Sequence, residues 1–129
     1  MQILDTKKEF NIIKRAKSFV HAGRGIYVFI KTTHNAWIHL VILAVAVFLG
    51  FYFRITQSEW ISLIIVAGFV LVSEAFNTAI EIDIDLTSPN YHPYAKDTKD
   101  VAAGAVLISA IIAIIVGILI FGKYLLILI

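Results

Sequence analysis

Val72-Ser73-Glu74-Ala75-Phe76-Asn77-Thr78-Ala79-Ile80-Glu81 closes an otherwise apolar run that begins near Trp60. A helix turns about 100° per residue, so Glu74, Asn77, Thr78 and Glu81 share one narrow stripe. Two carboxylates and an amide then point the same way. Holding a carboxylate in hydrocarbon costs roughly 2.5–3.5 kcal/mol on insertion scales, so an acid inside a span is read first as functional. The plainer reading has the helix end reaching the headgroups, where Glu81 would sit in water at little cost. Glu74 lies seven residues, about 10 Å, further in.

The surroundings of that stretch set the class. The 129-residue chain is 60% hydrophobic with a mean hydropathy of +0.88, more apolar surface than a soluble domain of its size can cover. The expectation is a single all-α membrane domain over 1–129, with spans at about 36–53, 60–81 and 99–122. Each span approaches or exceeds the roughly 20 residues that cross about 30 Å of hydrocarbon. No cleavable signal peptide is read, because the first 35 residues are Lys-rich and lack a compact apolar core. Cysteine is absent, which excludes disulfide and thiolate chemistry. Of the eleven Lys and Arg, Lys7, Lys8, Lys14, Arg15, Lys17, Arg24 and Lys31 precede the first span, which places the N-terminus in the cytoplasm. The loop 54–59 is then outside, the loop 82–100 inside and the C-terminus outside; Lys123 runs weakly against this orientation.

Over 1–35 the basic residues interleave with Phe10, Ile13, Val20 and nearby apolar groups at helical spacing. The pattern suits an amphipathic helix on the inner leaflet, its basic side toward anionic headgroups. Gly23 and Gly25 weaken that helix by about 1 kcal/mol each relative to Ala, which favours a turn or kink around Arg24. Trp37 and His39 are expected at the interface and Trp60 as an interfacial anchor. Ser58 is read as the N-cap of the second span, within an outer turn that suggests no chemistry.

Beyond Glu81, Asp85 extends the acidic stripe, Pro89 stops the helix and Pro93 suits the first turn of the next. Ala102, Ala103, Gly104 and Ala105 allow close helix contact, which would bring Lys99 and Asp100 toward the Glu81 end. Carboxylates with lysine at a cytoplasmic membrane surface fit Mg²⁺ and phosphate handling, and a desolvated Glu74 fits a general base. A solvated, salt-bridged helix start is the plainer account of Lys96, Asp97, Lys99 and Asp100. A proton or ion conduit is the competing use of buried acids, but it needs acids through the full depth, and the outer half of the spans has none. Gly117 to Lys123 matches part of a phosphate-binding loop, yet Tyr124 replaces its Ser or Thr and no strand precedes it. His21, His34, His39 and His92 show no metal-ligand spacing, and nucleic-acid binding is not expected from basic residues beside a span.

Glu74-Ala-Phe-Asn77-Thr-Ala-Ile-Glu81, Asp85, Tyr91-His92 and Lys99-Asp100-Val-Ala-Ala-Gly104 together resemble the small prokaryotic diacylglycerol kinase family, which includes undecaprenol kinases. Ser18 to Ile26 is similar to the N-terminal motif of its Gram-positive undecaprenol kinase members. The resemblance covers roughly residues 10–122. It implies a homotrimer of three-span subunits with an N-terminal surface helix in the bacterial cytoplasmic (inner) membrane. The implied activity is phosphorylation of a lipid alcohol, diacylglycerol or undecaprenol, by ATP and Mg²⁺. By position, Glu74 would be the general base supported by Asn77, and Glu81 a metal and nucleotide ligand. Lys99 and Asp100 would contact the nucleotide, Asn90, Tyr91 and His92 would hold the nucleoside, and Lys14 and His21 would contribute from the surface helix. Members usually carry a second metal-binding glutamate where Thr33 stands here, so a neutral hydroxyl replaces an anionic ligand. The alternative reading is a non-enzymatic oligomer, either a conduit or a degenerate kinase fold.

Overall fold

The computed structural model describes residues 11–128; Lys7, Lys8 and Phe10 of the basic N-terminal pattern lie outside them. Four helices follow in order: α1 (Ile12–Thr32), α2 (His34–Phe53), α3 (Gln57–Thr87) and α4 (Pro93–Ile127). The last three are long and apolar enough to cross a membrane.

Helix α1 starts where Asn11 Oδ1 accepts from the backbone N–H of Ile13 at 2.9 Å. It continues unbroken through Gly23 and Gly25, so the turn expected around Arg24 is not made. The propensity cost of two glycines, about 1 kcal/mol each, is spread over a helix whose other residues form their backbone bonds cooperatively. Ile12, Ile13, Phe19 and Val20 stay exposed, as suits a helix whose apolar side meets lipid.

Thr33 separates α1 from α2 in extended backbone. α2 ends at Arg54, which adopts the left-handed conformation at φ 52° while its N–H closes the helix on Gly50 and Phe51 carbonyls. Gly50 is buried under the Trp60 ring, and a Cβ there would lie 2.6 Å from that ring. Gly50→Val is therefore expected to destabilise the fold by about 1–3 kcal/mol through overpacking. Thermal unfolding in detergent should show a lower midpoint, and an unchanged midpoint would mean that the Trp60 ring moves aside freely.

Helix α3 opens with a capping box: the Thr56 hydroxyl accepts from the Glu59 N–H and Glu59 Oε2 accepts from the Thr56 N–H at 2.8 Å. This corrects Ser58 as the cap. The reciprocal bond needs an acid three residues on, which Thr56 has in Glu59 and Ser58 lacks. The outer turn is also busier than expected. Glu59 pairs with Lys123 and accepts from the Tyr124 hydroxyl at 2.9 Å, while Tyr124 stacks on Phe53. Below it Ile55, Leu63, Ile120 and Phe121 form the buried apolar cluster.

α3 and α4 make the main packing pair, with α2 set more sparsely against both. Midway along them the Ser73 and Ser109 hydroxyls lie 2.8 Å apart, each also within reach of a carbonyl of its own helix, so one donates across and the other to its own backbone. Of the small residues expected to make close contact, Ala102 is buried whereas Ala103 and Ala105 are exposed and nothing closes on Gly104. Four consecutive positions spread around a helix, so they cannot all face one neighbour. α3 ends at Thr87 ahead of Pro89, and α4 begins at Pro93 with His92 Nδ1 accepting from the Tyr94 N–H. Only 11–28% of each span window is buried within the chain, which leaves broad apolar faces for lipid or further subunits.

Candidate active site

The stripe on α3 faces inward at its middle and opens to the surface at its end. Glu74 is 1% exposed, Asn77 and Thr78 are buried, and Glu81 is exposed. Thr78 is held to the junction of α1 and α2, its hydroxyl 2.6 Å from that of Thr33. Asn77 Nδ2 donates to Glu81 Oε1 at 3.2 Å, the i,i+4 contact that the stripe geometry demands. Thr33 thus sits one helical turn from Glu81 along α3.

Glu74 is the largest fully buried side chain among the described residues. Its Oε1 lies 3.1 Å from His39 Nε2 on α2. Its Oε2, like Asn77 Oδ1, is buried with no hydrogen-bond partner among the described residues. An unpaired buried acceptor costs about 1–3 kcal/mol, so two on one stripe need an explanation beyond folding. His39, read from the sequence only as an interfacial ring, lies half-buried with its Nε2 against the acid.

Where the end of α3 meets the start of α4, Lys99 pairs with Asp85. Asp100 accepts from Lys96 Nζ at 2.6 Å along its own helix and does not turn to Glu81. An i,i+4 pair on one exposed helix face forms more readily than a contact across helices. Asp85, Asn90, Tyr91, His92, Lys96, Lys99 and Asp100 line one concavity of about 430 Å³. Lys14 and His21 stand exposed on α1, and among the described residues no bond joins either side chain to that cluster.

A second, apolar groove of about 440 Å³ runs between α2, α3 and α4 from His39 toward Leu63 and Phe121. Among the described residues no three His, Asp or Glu side chains converge as a ready metal cage. The exposed Glu81 carboxylate, with the Asn77 amide bonded to it, is nonetheless a hard oxygen donor at the end of the stripe. That suits a hard cation such as Mg²⁺, which takes one or two carboxylates and completes its shell with phosphate oxygens and water.

Sequence reasoning missed three of these groups, His39, Ser73 and Ser109. His39 carried a usable signal, since a ring nitrogen inside an apolar helix needs a partner.

The model of the prokaryotic diacylglycerol kinase family matches residues 20–121. The chain is 40% identical over 119 residues to the undecaprenol kinase of Bacillus subtilis (strain 168), covering 92% of this chain and 97% of that protein. It is 33% identical over 125 residues to the diacylglycerol kinase of Helicobacter pylori, covering 92% of this chain and 94% of that one. A third likeness, 36% identical over 101 residues, is to the diacylglycerol kinase of Synechocystis; it spans 78% of this chain and 58% of the relative. With the family's model matching residues 20–121 and a relative 40% identical along almost the whole of both chains, the chain belongs to the prokaryotic diacylglycerol kinase family.

Proposed function

We propose that this lipid kinase uses ATP and Mg²⁺ to phosphorylate the hydroxyl of diacylglycerol or undecaprenol at the cytoplasmic face of the bacterial inner membrane. The proposed assembly is a homotrimer, with each chain one membrane domain and its N-terminus inside. The observation that carries the reading is the buried Glu74 carboxylate, one oxygen free, on the same stripe as Glu81.

In this reading Glu74 Oε2 accepts the proton of the lipid hydroxyl as its oxygen attacks the γ-phosphorus. The bond from that phosphorus to the bridging oxygen breaks and ADP leaves. Glu81 holds metal and nucleotide, and Asn77, bonded to it, fixes its orientation. Lys99 and Asp100 contact the nucleotide, and Asn90, Tyr91 and His92 hold the nucleoside. Lys14 and His21 contribute from α1. Mg²⁺, when bound, supplies the positive charge that offsets the charge developing on the phosphates. An acid at the interface suits an acceptor whose tail stays in the bilayer.

The test is ADP release by the purified chain in mixed micelles. Turnover should rise with diacylglycerol or undecaprenol and not with an ester of the same chain length lacking the hydroxyl. Lipid-independent turnover, or none, would overturn the reading in favour of a non-enzymatic oligomer. Thr33 supports a further prediction. Its hydroxyl meets Thr78 beside Asn77, so Thr33→Glu adds a carboxylate next to the proposed metal site. That variant should need less Mg²⁺ for half-maximal turnover, and an unchanged Mg²⁺ dependence would contradict the role given to this position.

A further inference from the structure

We propose that His39 is a positioning residue for Glu74: with its proton on Nε2, it binds Oε1 and leaves Oε2 as the oxygen that receives the acceptor's proton. The inference rests on the kinase reading above. His39 comes from α2 and Glu74 from α3, and their contact is 3.1 Å. The His39 side chain is 20% exposed and the acid 1%, so the bond is screened from water and stronger for it.

The geometry separates the two carboxylate oxygens. One has a partner and the other has none. A free glutamate explores several torsions, and a single bond from a helix-anchored ring removes that freedom before substrate arrives. The neighbouring Ser73–Ser109 contact fixes α3 against α4, so the backbone carrying Glu74 is held from the other helix as well. His39 also lines the apolar groove between α2, α3 and α4, at the end nearest the acid. A hydroxyl presented from the hydrocarbon side would therefore meet an oriented carboxylate rather than a mobile one.

Two variants and one control test this. His39→Phe keeps a ring and removes both nitrogens, whereas His39→Gln keeps an N–H at similar reach. His39→Phe should lower kcat on the order of 10- to 100-fold, the scale of a misplaced reacting group, with the KM values for lipid and ATP within about twofold of wild type. The stoichiometry of nucleotide-analogue binding should stay at the wild-type value, which a partly misfolded preparation would not give. His39→Gln should restore kcat to within about threefold of wild type. Full kcat in His39→Phe, beside an inactive Glu74→Gln, would overturn the positioning role and leave the kinase reading standing. Equal loss in the Phe and Gln variants would also overturn it, because the N–H alone would then not suffice. Absence of lipid phosphorylation in the wild-type chain would remove both readings together.

Discussion

Glu74→Gln is expected to abolish lipid-dependent ATP turnover to within detection, a loss of at least about a hundredfold, the lower end for removing a general base. The substitution keeps the volume of the side chain, and its amide oxygen can still accept from His39. What changes is the second position: an NH₂ replaces the unpartnered Oε2 and can take no proton. Because the site is fully buried, retained folding has to be checked alongside. The variant should elute from gel filtration at the wild-type volume and bind a nucleotide analogue with wild-type affinity. Near-normal turnover would remove the base assignment.

Glu81→Ala should cost on the order of 10²- to 10³-fold in kcat/KM, the usual scale for losing a group that stabilises transferred charge. Unlike Glu74, this carboxylate is exposed and its loss opens no cavity in the core. Asn77 Nδ2 loses its acceptor at the same time, so the amide is freed to turn. The signature should differ from that of Glu74→Gln, with nucleotide affinity and Mg²⁺ dependence both weakened. Measuring the analogue's Kd across a Mg²⁺ series separates the two cases. An unchanged Kd would place metal and nucleotide elsewhere.

Much of this architecture was legible in the chain itself, and the reason is local. Apolar runs of span length define helices α2 to α4 whatever surrounds them, and the 3.6-residue period puts Glu74, Asn77, Thr78 and Glu81 on one face. The Asn77–Glu81 bond follows from that period alone. The partner of Glu74 does not, because periodicity says which way a side chain points and not what waits there. His39 is 35 positions away in sequence, and only the packing of α2 on α3 reveals it. The same limit applies at the outer end, where Glu59, Lys123 and Tyr124 meet across 65 positions of chain. Thr56 as the cap was readable from its spacing to Glu59, and the nearer serine obscured it. Asp100 is the converse case, where the plainer salt-bridged helix start is the arrangement seen. Spacing alone left a cross-helix contact and a same-helix pair both open, and the i,i+4 pair with Lys96 forms.

What the site is for comes down to whether phosphate reaches a lipid and whether the buried acid is needed. Purified chain in mixed micelles, given ATP labelled at the γ-phosphate together with diacylglycerol or undecaprenol, should place the label in a phosphomonoester recovered in the organic extract. The same incubation with Glu74→Gln should leave the extract unlabelled. Label confined to the aqueous phase for the wild type, or lipid label undiminished in the variant, would contradict the account.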